Sequence, residues 1–276
     1  MILIADSGST KTDWCVSAQG KQLQRITTKG LNPYFITEDE IEQEIKLSLI
    51  PELQTNTFEA LYFYGAGCTP EKIPTMQNVL SKCFKAKTLV ANSDLLAAAR
   101  GLSGRNPGIV CIMGTGSNSC YYDGEKIANN VPSLGFILGD EGSGAVLGKL
   151  LVSDLLKNQL PAGLKEKFLQ EFDLTLGIII ERVYRQPFPN RFLASLSPFL
   201  LRNIEEPAVR SLVFSSFRSF LTRNVMQYNY KFYPVHFIGS IAYYYRKILK
   251  EAICATGMQL GNIMQNPMEG LVKYHE

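Results

Sequence analysis

Two short turns rich in Gly, Ser and Thr have the residue types that suit phosphate binding. The first reads Gly8-Ser9-Thr10-Lys11 and the second reads Gly114-Thr115-Gly116-Ser117. Gly permits positive φ angles and close approach, so the backbone N–H groups of such a turn are free to point at an anion. One turn of this kind is more often an ordinary hairpin, but two turns with the same flanking strands favour phosphate binding. The sequence has neither a P-loop motif nor a Rossmann glycine motif.

Two aspartates lie where predicted strands end. Asp6 follows the apolar run 2–5 and comes just before the first turn. Asp94 follows the predicted strand 87–91 and begins a predicted helix. Ligands of α/β folds bind at the carboxyl ends of strands, which favours a functional role for Asp94. A helix N-cap at Asn92, Ser93 or Asp94 is the open alternative.

A second acidic pair, Asp140 and Glu141, is predicted at the start of a helix. The following residues, Gly142-Ser143-Gly144, leave the backbone accessible to a ligand. Acidic residues in a first helical turn also complement the helix dipole without any ligand. The pattern therefore predicts a ligand role more strongly for Asp140 than for Glu141, and leaves the dipole alternative open.

A repeated pattern of strands must position the two turns. The first copy has predicted strands at 2–5, 12–18 and 21–28, and the second has them at 109–113, 119–122 and 125–128. In both copies the phosphate turn joins the first two strands, and a tight turn joins the second to the third. This repetition predicts two related lobes, residues 1–106 and 107–276. Whether the last residues return to the first lobe is open.

The remaining elements predict an α/β fold. Helices at 37–49 and 70–84 alternate with strands at 58–64 and 87–91, which is typical of parallel strands with crossover helices. Further helices are predicted at 146–155 and 209–230, and one more strand is clear at 235–238.

Composition excludes several classes of protein. The 276 residues are 46% hydrophobic and 19% charged, which excludes a disordered chain. Basic residues outnumber acidic ones by only 28 to 25, so neither a nucleic-acid surface nor a polybasic membrane segment is indicated. No apolar stretch resembles a signal peptide or a membrane span, so we expect a soluble, cytoplasmic protein. The six cysteines have no metal-ligand spacing and are expected to be reduced structural thiols.

Three segments carry a resemblance to a known family: 6–14 (DSGSTKTDW), 114–118 (GTGSN) and 139–144 (GDEGSG). They resemble the N-acetylglucosamine kinase branch of the BadF/BadG/BcrA/BcrD ATPase family, part of the actin-like ATPase and sugar kinase superfamily. The resemblance implies two duplicated ribonuclease H-like lobes with an interlobe cleft. It also implies an ATP-dependent kinase that phosphorylates an amino sugar, N-acetylglucosamine or a close relative, at a primary hydroxyl.

The resemblance assigns roles to residues around ATP and Mg²⁺. Asp6 would hold a hydrated Mg²⁺ against the phosphates, although a turn-capping role stays open. Asp94 would accept the proton of the sugar hydroxyl. Asp13 is either an exposed hairpin residue or a group near the metal. The residues implied for ATP binding are Gly8, Ser9, Thr10, Lys11, Gly114, Thr115, Gly116, Ser117, Gly239 and Ser240.

The resemblance also implies a sugar site. Its residues are Asn32, Gly65, Ala66, Gly67, Asp94, Asn118 and Asp140. One departure concerns recognition, because the family's Gly-Trp pair before the acidic motif is replaced by Ser133-Leu134. An indole offers a sugar a flat apolar face and one N–H donor, and Leu offers neither. The pocket is therefore expected to admit a bulkier or differently substituted amino sugar.

Two other functions stay open within the same superfamily. One is an ATPase that activates a partner enzyme, but those activators carry cysteines for an iron–sulfur cluster, and no comparably placed pair occurs here. The other is a sugar sensor without catalytic activity. The expected partner is a small-molecule sugar, with no nucleic acid and no membrane, and the formation of a homodimer is open.

Overall fold

The computed structural model describes residues 1–275 and contains ten strands and twelve α-helices over that range. The strands are β1 Ile2–Ser7, β2 Lys11–Ala18, β3 Lys21–Lys29, β4 Thr57–Gly65, β5 Lys85–Ser93, β6 Gly108–Met113, β7 Ser117–Tyr122, β8 Ile127–Val131, β9 Val235–Ile238 and β10 Leu260–Met264. The helices are α1 Glu38–Glu44, α2 Ile73–Cys83, α3 Asp94–Ser103, α4 Gly135–Leu138, α5 Gly144–Leu156, α6 Leu164–Glu171, α7 Leu176–Tyr184, α8 Pro189–Arg202, α9 Pro207–Arg223, α10 Ser240–Tyr244, α11 Arg246–Cys254 and α12 Met268–Tyr274.

The chain divides into two compact units. The first unit contains residues 1–107, 122–127 and the segment from Asn266 onward. The second unit contains residues 108–121 and 128–265. Within residues 1–275, no helix is both long and apolar enough to cross a membrane.

The sheet of the first unit has the order β3-β2-β1-β4-β5. Strands β1, β2 and β3 are antiparallel neighbours, whereas β1, β4 and β5 run parallel. Successive residues of β1 face opposite sides of the sheet, so Leu3 joins the core under α1 and α2 while Ile4 joins the core that includes Met268 and Leu271 of α12. Helices therefore cover both faces, and the apolar run of β1 is buried.

The sheet of the second unit repeats this order as β8-β7-β6-β9-β10. Strands β6, β9 and β10 run parallel, as their counterparts do in the first unit. One large core joins these strands to the helices, with Phe199, Phe217 and Phe237 among its fully buried side chains. The predicted α/β fold with a duplicated sheet is confirmed.

Three element predictions need correction. The strand β10 was not predicted, because its centre, Gly261-Asn262, has low strand propensity and it lies at the sheet edge. The helix predicted at 209–230 ends at Arg223, where the Asn224 side chain donates to the Phe220 carbonyl. A 3₁₀ turn follows.

The third correction concerns the acidic motif. The helix expected to start at Asp140 and Glu141 begins at Gly144, and the Ser143 hydroxyl caps it by accepting the N–H of Val146. Asp140 instead has a left-handed backbone with φ of 55°. Asp140 and Glu141 therefore belong to a loop that precedes α5.

Candidate functional site

The three parallel strands of the first unit end at one edge of the sheet. Their register aligns Ser7 of β1 with Gly65 of β4, and Gly65 with Ser93 of β5. Asp6, the Gly65–Gly67 loop and Asp94 therefore lie at the same edge. This is the edge at which open parallel sheets bind ligands.

The first turn is held by hydrogen bonds across it and beneath it. The Gly8 N–H donates to the Lys11 carbonyl at 2.9 Å, which closes the turn. Beneath it, the hydroxyls of Ser7 and Thr12 lie 2.8 Å apart, and Ser7 Oγ accepts the N–H of Leu31 at 2.9 Å. These two buried hydroxyls were not predicted as functional; they fasten the turn to the residues that follow β3.

Gly30 allows the segment after β3 to pass directly against the turn. A Cβ atom at Gly30 would lie 2.5 Å from the Gly8 carbonyl oxygen and 2.9 Å from that of Ser9. The Gly30 N–H also donates to the Thr10 carbonyl at 3.0 Å. Any larger residue at position 30 would displace the turn.

Asp6 and Asp94 are buried carboxylates whose pKa values are both raised. Burial, together with the negative charges of Asp94 and Asp13, raises the pKa of Asp6 to about 7, although Lys11 and Arg25 oppose the shift. Burial also raises the pKa of Asp94 to about 6, against the stabilising N–H groups at its helix start. A carboxylate with a pKa near 6 is mostly ionised at neutral pH and is a stronger base than an ordinary aspartate.

Asp94 follows an N-cap rather than serving as one. The N-cap of α3 is Ser93, whose hydroxyl accepts the N–H of Leu96 at 3.3 Å. Of the three capping candidates in the sequence, the structure thus selects Ser93. The Asp94 side chain therefore lies at the sheet edge and does not cap the helix.

Asp13 is fixed by neighbours on its own hairpin. One carboxylate oxygen accepts a hydrogen bond from Lys11 Nζ at 2.7 Å, and the other accepts the Thr27 hydroxyl at 3.0 Å. Its Cα is the cross-strand partner of Asp6. Asp13 is therefore a half-buried partner of Lys11 and Thr27.

Asn32 contacts the Gly65–Gly67 loop. The Asn32 side chain is buried, and its Oδ1 accepts the N–H of Tyr34 at 2.9 Å. A Cβ at Gly67, which has a φ of +76°, would lie 2.0 Å from the same oxygen. Asn32 and Gly67 are thus packed together, as a shared sugar site requires.

The second turn lies against the acidic motif in the second unit. The carbonyls of Gly114 and Thr115 accept the N–H groups of Gly144 and Ala145 at 2.8 and 3.0 Å. A Cβ at Gly116 would lie 2.9 Å from Asp140 Oδ2. The turn and the start of α5 therefore form one structure.

Asp140 is partly desolvated in this loop. Burial raises its pKa to about 6, while a hydrogen bond from the Ser117 backbone N–H acts in the opposite direction. The Ser117 hydroxyl donates to the Glu141 carbonyl at 2.8 Å. Ser117 thus supports the loop that carries Asp140.

Glu141 is tied to the end of α9. Its carboxylate accepts Arg223 Nε at 2.6 Å and Asn224 Nδ2 at 3.2 Å. The Gly142 N–H donates to the Ser216 hydroxyl on the same helix at 3.2 Å. These contacts give Glu141 a supporting role, and nothing in the sequence near position 141 indicated its distant partners.

The remaining predicted residues have distinct surroundings. Gly239, with a φ of +113°, packs so closely that a Cβ would lie 2.4 Å from the Met113 carbonyl, and exposed Ser240 begins α10 directly after it. Asn118 Oδ1 accepts the N–H of Ser119 at 2.9 Å and Asn130 Nδ2 at 3.0 Å.

Across residues 1–275 there is no cluster of three His, Cys, Asp or Glu side chains able to hold a metal ion. Asp6 nevertheless fits Mg²⁺, which is bound in phosphotransfer sites through one or two carboxylates, substrate phosphates and water. Burial, and then the nearby carboxylates of Asp94 and Asp13, raise the pKa of Asp6, and a bound cation would offset the negative charge of these groups.

Comparison with known proteins identifies the family of the chain. No family model matches the chain. A solved structure of a candidate N-acetylglucosamine kinase from Porphyromonas gingivalis is 51% identical, with a TM-score of 0.96 over 100% of this chain and 98% of that one. A ROK family glucokinase from Streptomyces griseus, at 12% identity and a TM-score of 0.61 over 99% of this chain and 97% of its own, shares the fold alone.

Two curated proteins show weaker sequence similarity. N-acetyl-D-glucosamine kinase of Dictyostelium discoideum is 26% identical over 60% of this chain, and the match spans only 57% of that protein. N-acetylmuramic acid/N-acetylglucosamine kinase of Clostridium acetobutylicum is 27% identical over 70% of this chain and 67% of its own length. On the full-length match to the Porphyromonas protein, the chain belongs to the N-acetylglucosamine kinase-like family.

Proposed function

We propose that this protein is an ATP-dependent kinase that phosphorylates N-acetylglucosamine or a close relative at its primary hydroxyl. The observation that carries the proposal is the meeting of Asp6 and Asp94 at the edge where the phosphate turn begins. The names of the similar proteins favour this function over an activating ATPase or a sensor.

In this proposal Asp94 acts as the general base. Its carboxylate would orient the sugar hydroxyl and take its proton as the new P–O bond forms. Burial supports this role because it raises the pKa of Asp94 to about 6 and makes the carboxylate more basic. Asp94 is the first residue of α3, so the helix fixes the backbone that carries its side chain.

In the first unit, backbone N–H groups of the Gly-rich turn would bind phosphate, with Lys11 supplying a positive charge. The Gly-rich turn of the second unit is proposed to bind phosphate in the same way. Asp6 would hold Mg²⁺, which when bound offsets the negative charge of the phosphates. In the second unit, the tight backbone at Gly239 and the exposed Ser240 would accommodate the adenosine.

In the first unit, Asn32 and the Gly65–Gly67 loop would hold the sugar. Asn32 Oδ1 is already occupied by the Tyr34 N–H, which leaves the amide NH₂ as the donor for a sugar oxygen. The Gly65–Gly67 loop would add backbone groups. Asp140 and Asn118 of the second unit are proposed to bind sugar hydroxyls. A cytoplasmic location suits an ATP-dependent enzyme.

A panel of sugars tests the proposal. We expect ADP release with N-acetylglucosamine and a lower kcat/KM for glucosamine and glucose. If the acetyl group lies in an apolar pocket, the difference in kcat/KM should correspond to about 1 to 3 kcal/mol of transition-state free energy. N-acetylmuramic acid tests whether a bulkier substituent is accepted. A clear preference for glucose would overturn the amino-sugar assignment and keep the kinase assignment, and ADP release that ignores every sugar would overturn both.

A further inference from the structure

Two large aromatic side chains are exposed directly after Asn32-Pro33. Tyr34 is 67% exposed and Phe35 is 60% exposed. Their ring centroids lie 5.6 Å apart with an interplanar angle of 77°, so they form an edge-to-face pair. Adjacent exposed aromatic rings are a feature of binding surfaces, because they bury much apolar area at little entropic expense.

The backbone holds both rings outward. Asn32 accepts the Tyr34 N–H through its side chain, and its carbonyl accepts the N–H groups of Phe35 and Ile36 at 3.0 and 3.2 Å. On the other side, the capping box of Thr37 fixes the start of α1. These hydrogen bonds restrict the backbone that carries the rings, and such preorganisation lowers the entropy lost on binding.

The same turn touches the candidate sugar site. Asn32 Oδ1 packs against Gly67, whose loop follows β4 at the edge that carries Asp6 and Asp94. Tyr34 is therefore joined to this edge through one hydrogen-bonded residue. The chain's single Trp, Trp14, is 1% exposed and offers no surface to a sugar.

We propose that Tyr34 and Phe35 form an aromatic subsite for the acceptor sugar. The rings would pack against the C–H groups of an N-acylated pyranose and its acyl substituent, whose weakly positive hydrogens match the negative face of an aromatic ring. The Tyr34 hydroxyl would add one hydrogen bond at the rim. This inference rests on the proposed function and assigns specificity to two residues with no part in phosphate binding.

Kinetics and direct binding of matched variants test the subsite. In Tyr34→Ala/Phe35→Ala, the KM and calorimetric Kd for N-acetylglucosamine should rise about 3- to 10-fold, the range expected for lost aromatic contacts. The KM for ATP should stay the same, and Tyr34→Phe should retain most of the affinity. Because the acyl group is part of the contact, the loss should be smaller for glucosamine.

Tyr184→Ala is the matched control, because Tyr184 is 76% exposed on α7 of the second unit. It should change no sugar constant, and neither variant should shift the midpoint of urea unfolding. Unchanged KM and Kd in the double variant of an active wild type would overturn the subsite while leaving the kinase proposal standing.

Two further outcomes are decisive. If sedimentation shows that the double variant changes only the oligomeric state, with sugar constants unchanged, the rings serve a contact between proteins and the subsite is overturned. If calorimetry detects no amino sugar binding to the wild type, the subsite and the proposed function both fail. Sugar binding without turnover, weakened in the double variant, would support the subsite and contradict the kinase.

Discussion

At the scale of single residues, the proposed chemistry depends on the environment of two aspartates. Asp6 and Asp94 share a sheet edge, and each has a pKa raised by burial. In water an aspartate is a weak base, with a pKa of about 3.9. The fold therefore changes the chemistry of these residues.

Replacement of the proposed base should remove turnover. In Asp94→Asn we expect kcat to fall by roughly 10²- to 10⁴-fold, the usual contribution of a positioned base, while nucleotide binding stays intact. Steady-state kinetics and calorimetry with an ATP analogue measure the two effects separately. Asp39→Asn, a change at an exposed position of α1, is the control and should leave both unchanged.

The pH dependence of the wild type follows from the same group. Asp94 accepts a proton only when ionised, so kcat should decline as pH falls through about 6, the pKa given by burial. In Asp94→Asn the residual rate should lose this dependence. An acid limb that survives the replacement would assign it to another group.

Asp6 should weaken the fold at neutral pH. Its pKa rises from 3.8 unfolded to about 7 in the native protein, so the folded state holds a proton that the unfolded state releases. The free energy of unfolding contributed by Asp6 therefore falls as pH rises through that window. Asp6→Asn should stabilise the Mg²⁺-free protein at pH 7 by on the order of 4 kcal/mol, with little gain near pH 4.

Urea unfolding at several pH values measures this difference. If Asp6→Asn is less stable than the wild type at pH 7, the surroundings stabilise the charged form of Asp6, and the prediction is wrong. Asp39→Asn again serves as the control for the loss of one surface charge.

At the scale of elements, the phosphate turn depends on a glycine outside it. Gly30→Ala would place a methyl group 2.5 Å from the Gly8 carbonyl, and backbone on both sides has little room to move. We expect an overpacking penalty of about 1 to 3 kcal/mol and a higher KM for ATP, with the sugar KM less affected.

Gly177→Ala in α7 provides the comparison, because the atom nearest to a Cβ at this position, Thr175 Oγ1, lies at an ordinary 3.8 Å. It should leave the KM for ATP unchanged. If both glycine variants bind ATP equally well, the close packing at Gly30 does not shape the turn.

Elements also show what the sequence could and could not predict. Strands β1 and β6 were predicted from continuous apolar runs, and both turns from their Gly and Ser content, since these signals are local. The ties of Glu141 to Arg223 and Asn224 join residues more than 80 positions apart. No local sequence pattern predicts such a contact. The hydrogen bonds that support the loop of Asp140 and Glu141 are therefore visible only in the structure.

At the scale of the whole molecule, duplication was the most informative signal. The repeated strand pattern of the sequence corresponds to two sheets of identical strand order, and the fold class followed from it. The edge strand β10 was not predicted, and Gly261 within it serves close packing. The start of α5 was predicted too early, because Asp140 adopts a left-handed backbone before the helix begins. The assigned roles of the site residues stay predictions.

The measurement that tests the central claim most directly is the fate of the γ-phosphate. Purified protein, Mg²⁺, ATP and ¹³C-labelled N-acetylglucosamine should yield one ADP for each phosphorylated sugar, with the ³¹P–¹³C coupling of the product at its primary carbon. Asp94→Asn should form this product at a strongly reduced rate. Release of inorganic phosphate with no phosphorylated sugar, or equal product from Asp94→Asn, would contradict the account.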